Sequence, residues 1–220
     1  MQQDCPSCGA HGVSMSVDSA GDGSDTGGDT DGDERVLVCP ACGASKSFAS
    51  PPLCIVTGAA GTGKSTVRSE LRGEIDAVLL EDDPLWTDGF ENVTEPEFND
   101  YVLSLCAEVA QSGVQPVLFT TGMGVPENVE GLDARRYFGE SHYLALVCDD
   151  ETQTERLRAR PGWEDGEDYW ADLERQVEFN QWFRSEGENE GVELLDTTDA
   201  TVSETVAAVR EWLAGRQAGR

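Results

Sequence analysis

Residues 57–66 read TGAAGTGKST, and no other stretch limits the possible folds of the chain so strongly. Gly58-Ala59-Ala60-Gly61-Thr62-Gly63-Lys64-Ser65 fits the spacing G-x-x-x-x-G-K-[ST] without a gap. Glycines at 58, 61 and 63 let the backbone curl until successive N–H groups face one point, and the helix that follows adds the positive end of its dipole. Such a loop needs a buried strand before it and a helix behind it. LCIVTG (53–58) supplies the apolar run, and 64–73 reads as helix. Composition sharpens the point. The chain has 15 Lys and Arg against 43 Asp and Glu, and after residue 50 its single lysine is Lys64. An ammonium group aimed at phosphate is not replaced by the wider planar fork of arginine. The loop therefore implies ATP or GTP held by residues 58 to 66 (Thr66 the last), with Lys64 on the β- and γ-phosphates and Ser65 on Mg2+.

Around the loop, apolar runs alternate with helical periods. Strands are expected at 53–58, 77–81, 115–121, 142–148 and 192–197, and helices at 64–73, 95–112, 134–139, 152–160, 168–187 and 203–216. The last helix carries Val206, Val209, Trp212 and Leu213 on one face. This order predicts an α/β fold of the P-loop NTPase kind: three layers, α/β/α, around a five-stranded parallel sheet. No N-K-x-D base-reading motif and no L-S-G-G-Q signature is present, and strand three ends in Thr120-Thr121-Gly122 where a motor ATPase places an acid.

LLEDDPLW (79–86) puts Glu81, Asp82 and Asp83 at the carboxyl end of a parallel strand, where ligands bind in open sheets. The segment resembles the D-x-D or D-G-D turn of the shikimate and gluconate kinase families, with glutamate in place of the first aspartate. That resemblance implies Glu81 supporting Mg2+ through water and Asp83 orienting or deprotonating an acceptor hydroxyl. The alternative is an acidic turn in an acidic protein. Gly122 and Gly124 in FTTGMGVPENV (119–129) resemble the substrate-facing glycine segment of the same families. LVCDDETQTERLRARPGW (146–163) resembles their strand, helix and arginine-bearing lid, with Arg156 and Arg160 on one helical face, Arg158 elsewhere and a hinge from Pro161 to Asp168. The plainer reading pairs those arginines with neighbouring acids. By the same resemblance, residues 196–198 line adenine. Arg135 and Arg136 either bind an anionic substrate or pair with acids. Trp86, Phe90 and Tyr101 follow the acidic turn and either stack a base or belong to the core. The resemblance as a whole implies an ATP-dependent phosphotransferase for a small-molecule acceptor, with nucleoside or nucleotide as first choice.

Residues 1–50 read separately from the domain at 51–220. CPSCG (5–9) and CPACG (39–43) are two copies of C-P-x-C-G, and they resemble the paired knuckles of the zinc ribbon family. Cys5, Cys8, Cys39 and Cys42 then complete a four-cysteine zinc site. Strands are expected near 12–17 and 35–39. Residues 18–34, all acid, glycine and small polar, read as a disordered loop. Cys54, Cys106 and Cys148 read as core, and Ala49 to Pro52 as a linker.

The formal charge is −28, spread along the whole chain. The pattern resembles proteins of salt-accumulating archaea, and it argues against loose nucleic-acid binding, which needs a basic surface. No run approaches a membrane span, so the expected location is cytoplasmic. A rival reading stays open: an ATP-dependent switch or adaptor whose zinc ribbon docks a protein or nucleic-acid partner.

Overall fold

The computed structural model describes residues 2–19, 35–48, 50–86, 92–160 and 172–217. Nearly all of the acidic loop expected at 18–34, Ala49 of the linker, Phe90, and the hinge from Pro161 to Asp168 lie outside them.

The N-terminal unit is antiparallel. β1 (Gln2–Gln3) pairs with β2 (Val13–Ser14), and β3 (Ser16–Ser19), β4 (Arg35–Val38) and β5 (Ser45–Ser47) form a three-stranded sheet. β1 and β5 were not expected. The first has two residues and the second is Ser-Lys-Ser, so neither carries the apolar alternation that marks a strand.

The second unit is a five-stranded sheet of β6 (Leu53–Thr57), β7 (Ala77–Glu81), β8 (Gln115–Phe119), β9 (Ser141–Val147) and β10 (Val192–Asp196). Its order is β10-β9-β6-β8-β7, and every pair is parallel. The helices are α1 (Lys64–Leu71), α2 (Glu95–Ala110), α3 (Glu127–Glu130), α4 (Asp150–Arg158), α5 (Leu173–Glu186) and α6 (Val202–Gln217). The helix expected at 134–139 is a 3-10 turn at Asp133–Tyr137. The four-residue α3, Glu-Asn-Val-Glu, was not anticipated, since one turn shows no periodicity.

β6 is buried along its whole length, and its residues alternate between two apolar layers. Leu53 and Ile55 face a cluster with Phe98, Val102 and Cys106 of α2 and Phe183 of α5. Cys54 and Val56 face Val67 and Leu71 of α1 and Val206, Val209, Trp212 and Leu213 of α6. The result is the expected three-layer arrangement. The three cysteines read as core are buried.

Met15 and Leu37 of the N-terminal unit join the first of these clusters. The Pro51-Pro52 segment is pinned to the amino-terminal edge of the sheet. Gly139 N donates to Pro51 O at 2.9 Å, Leu53 N to Glu140 O at 2.8 Å, and Gln115 Nε2 to Pro52 O at 2.8 Å. The phosphate loop leaves the opposite edge, about 17 Å away along β6. It does so between β8 and β9, at the switch point where the chain winds both ways from β6.

Candidate active site

Gly58, Gly61 and Gly63 have φ of 130°, 87° and 106°, a region that side chains rarely enter. A Cβ at Gly58 would stand 2.3 Å from Leu146 O, so strand β9 also requires the glycine. Lys64 is 9% exposed, and its Nζ donates to Gly58 O at 2.6 Å and Ala59 O at 3.1 Å. Burial lowers its pKa to about 8, while Asp83, Asp82 and Glu81 pull the other way.

The outer turn of the loop is held by two helices. Ala60 N donates to Gln176 Oε1 at 2.7 Å. Gln153 Nε2 donates to Ala60 O at 2.8 Å and to Gln176 O at 2.9 Å. Both glutamines are buried. Sequence reasoning missed them, since a lone Gln on a helix reads as surface.

The acidic turn divides its three carboxylates by the alternation of the strand that ends there. Glu81 faces α1. It accepts from Ser65 Oγ at 2.8 Å and pairs with Arg68, a partner the sequence did not suggest. Asp82 faces the other layer. It is 5% exposed, and its Oδ2 accepts from Thr120 Oγ1 at 2.5 Å, which in turn accepts from Met123 N at 3.1 Å. Asp82 Oδ1 has no partner. Burial pushes the Asp82 pKa up to about 6, against the hydrogen bond from Thr120. Asp83 opens a short 3-10 turn and lines the phosphate cavity. Asp82 sits inside the quoted motif, and its register with Leu80 was the signal that it points inward.

The cavity holds about 460 Å3 and is lined by residues 60 to 67, Asp83, Thr121, Arg156, Arg160 and the 197–205 segment. That volume suits a nucleotide. Arg156, half-buried, and Arg160, exposed, both line it. Arg156 differs from a lid arginine paired with acids. Its Nη1 donates to Thr197 Oγ1 at 3.0 Å and its Nη2 to Thr197 O at 2.8 Å, and Thr197 Oγ1 reaches Thr62 O at 3.2 Å. This ties Arg156 to the loop after β10. Of residues 196–198, Thr197 lines the cavity, and Asp196 accepts from Thr198 N at 2.8 Å.

Arg135 pairs with Glu130, 2.8 Å away, and Glu130 also accepts from Tyr143 OH at 2.9 Å near the start of β9. It is thus held near the amino-terminal edge of the sheet, and the acid-pairing reading holds for it. Arg136 lies 5.2 Å over the Tyr137 ring. Trp86 is 49% exposed and meets Phe98 edge-on at 4.7 Å.

Ser65 and Glu81, 2.8 Å apart, present the oxygen donors that a hard cation such as Mg2+ prefers. In the N-terminal unit, the Sγ atoms of Cys5, Cys8, Cys39 and Cys42 lie within 4.8 Å of one another. Cys5–Cys42 is 3.8 Å and Cys8–Cys39 is 4.0 Å. Tetrahedral zinc with bonds of about 2.3 Å has an edge of about 3.8 Å. The two knuckles match: Gly9 N donates to Cys5 O and Gly43 N to Cys39 O, both at 2.9 Å, with φ of 71° at each glycine. The Cys8 backbone N–H lowers the Cys5 pKa to about 6. At Cys42 the Ala44 N–H favours the thiolate, but the neighbouring thiols and burial raise its pKa to about 12. Four cysteine sulfurs at this spacing fit the donor set of a tetrahedral zinc site.

The family model described as AAA domain matches residues 54–181. None of the curated proteins compared matches the chain. Among solved structures, a sugar kinase from Janibacter sp. is 16% identical with a TM-score of 0.54, covering 76% of this chain and 95% of its own. The tunicamycin resistance protein of Deinococcus radiodurans is 16% identical with a TM-score of 0.52, covering 75% and 96%. Shikimate kinase from Acinetobacter baumannii is 16% identical with a TM-score of 0.49, covering 76% and 95%. The chain has the P-loop kinase fold. Among the described residues, no helix is long and apolar enough to cross a membrane.

Proposed function

The chain belongs to the AAA-domain family, and from that premise we propose that it transfers the γ-phosphoryl group of ATP to a hydroxyl of a small-molecule acceptor, with nucleosides and nucleotides as the first candidates. The observation that carries this reading is the convergence of Lys64, Ser65, Asp83, Arg156 and Arg160 on one cavity at the switch point of the sheet.

In this reading the loop N–H groups and Lys64 hold the phosphates. Lys64 leaves the carbonyls of Gly58 and Ala59 to do so. Ser65 and Glu81 hold Mg2+, which when bound neutralises charge on the transferring group. Asp83 lies on the cavity wall and orients the acceptor hydroxyl. The acceptor oxygen forms a bond to phosphorus as the bond to the ADP oxygen breaks, and the hydroxyl proton passes to a carboxylate and then to water. Arg160 and Arg156 face the charge spread over the phosphoryl oxygens. The nucleophile comes from the acceptor, so the protein needs no catalytic Ser or Cys.

The four cysteines hold zinc as a structural ion. A switch or adaptor would use the same phosphate loop but has no need for Asp83 opposite Arg160. The test is ADP release from Mg·ATP in molar KCl with and without acceptors. Stimulation by one acceptor class supports transfer. A slow rate that no acceptor raises favours the switch. Arg160→Ala is expected to leave ATP affinity within about threefold and to lower phosphoryl transfer by about 10²–10³-fold. Unchanged turnover would remove Arg160 from the mechanism.

A further inference from the structure

Beyond Asp83 and Thr121, which line the phosphate cavity, the end of β7, the start of α2 and the 122–124 turn pack against one another. Their contacts are direct. Trp86 rests on Phe98 of α2, Asp82 bonds Thr120 beneath the turn, and Glu95 Oε1 lies 3.4 Å from where a Cβ on Gly122 would stand. This wall bears negative charge only. From Glu81 to Ala134 the sequence has no Lys, Arg or His, and it has twelve acids.

The arginines that flank the wall are engaged. Arg135 is paired with Glu130, and Arg136 lies over Tyr137 with Asp133 and Asp100 alongside. Arg68 is paired with Glu81, and Arg156 is bonded to Thr197. Lys64 and Arg160 face the phosphate cavity. An independent observation singles out this surface. Asp82 is 5% exposed, and its Oδ1, at the junction of the acidic turn, α2 and the glycine turn, has no partner. A buried carboxylate oxygen left bare in the fold costs free energy unless something donates to it.

Resting on the kinase reading, we propose that the acceptor site takes a hydroxyl compound without negative charge, neutral or cationic, and discriminates against phosphorylated or carboxylated acceptors. A ligand hydroxyl or ammonium group supplies the donor that Asp82 lacks, and the half-exposed Trp86 offers an apolar face to the body of the ligand. A phosphate or carboxylate on the acceptor would face Asp82, Asp83 and Glu95 with no cation to offset them. This narrows the nucleoside-or-nucleotide alternative to the nucleoside side.

The test uses the full-length, zinc-loaded protein with Mg·ATP and acceptors in matched pairs. These are a nucleoside and its 5′-monophosphate, a polyol and the corresponding hydroxy acid, and an amino sugar and its sugar phosphate counterpart. The expected result is stimulation by the uncharged or cationic member, with kcat/KM at least tenfold above its anionic partner. Glu95→Lys, at an exposed position outside the Thr94–Glu97 capping box, is expected to shift the anionic-to-neutral ratio of kcat/KM upward by about tenfold. Preference for an anionic member overturns the acceptor assignment and leaves the kinase reading intact. An unchanged ratio in Glu95→Lys overturns the placement of the wall. ADP release that no acceptor raises, in protein that binds ATP normally, overturns the kinase reading and the acceptor assignment with it.

Discussion

Asp82 shows how one residue sets stability against function. Its carboxyl is buried, bonded through one oxygen and raised to about 6 from a usual value of 3.8. A carboxyl whose folded pKa exceeds its unfolded value binds more proton in the fold between those two values. Stability therefore falls as pH rises from about 4 to about 6, and the cost is complete above that window. Asp82→Asn keeps an acceptor for Thr120 and removes the charge. It is expected to stabilise the protein by about 1–3 kcal/mol at pH 8 and by almost nothing near pH 4, as read from urea denaturation of both proteins at each pH. Phosphoryl transfer should fall by at least about 10²-fold in the same variant. Equal stability gains at both pH values would show that the charge is not the cause. Lys64 is the converse case. Its pKa is depressed to about 8, so its buried charge costs stability below that value and the cost is relieved as pH rises from about 8 towards 10.5. Lys64→Ala is expected to gain stability at neutral pH and to lose ATP binding by at least tenfold in isothermal titration.

At the scale of elements, the phosphate loop is held in place by helices remote from it in sequence. α4 and α5 place Gln153 and Gln176 on either side of the Ala60 peptide, and Leu157 of α4 lies 2.9 Å from where a Cβ on Gly61 would stand. Gln153→Ala leaves Ala60 O and Gln176 O without this donor in a buried setting, at a cost of about 1–3 kcal/mol. Because the lost bonds end on the loop, KM for ATP should rise several-fold while the acceptor KM stays put. A stability loss with unchanged KM would mean that the loop holds its shape unaided. What the sequence revealed follows from the same distinction between local and distant causes. Strand β6, the glycine loop and α1 are specified by adjacent residues, and all five parallel strands were legible from their apolar runs. The division of labour among Glu81, Asp82 and Asp83 was only half legible. Asp83 was assigned to the acceptor hydroxyl and Glu81 to Mg2+, but the burial of Asp82 is fixed by its bond with Thr120, just past the end of β8. The Gln153–Gln176 clamp and the tether of Arg156 to Thr197 join residues far apart in sequence, and nothing beside either residue signals its partner.

Charge acts on the whole molecule. With 43 acids against 15 bases, the folded chain concentrates a net charge of −28 that the unfolded chain spreads over a larger volume. The isolated surface ion pairs, such as Arg184–Asp150 at 3.0 Å, contribute at most about 1 kcal/mol each and do not offset a field of this size. Salt does. The Debye length falls from about 10 Å at 0.1 M to about 3 Å at 1 M, so repulsion between neighbouring carboxylates persists at the lower concentration and is mostly quenched at the higher. The melting temperature is therefore expected to rise by at least about 10 °C between 0.1 M and 2 M KCl, followed by circular dichroism on zinc-loaded protein. Two controls identify the cause. Sucrose at matched osmolality strengthens apolar burial without screening, and should give a smaller rise. A chelator that strips the four-cysteine cluster should lower the melting temperature at every salt concentration, because Met15 and Leu37 of the N-terminal unit belong to the same apolar cluster as β6 and α2. A melting temperature flat from 0.1 to 2 M would mean that the carboxylate surface is indifferent to screening.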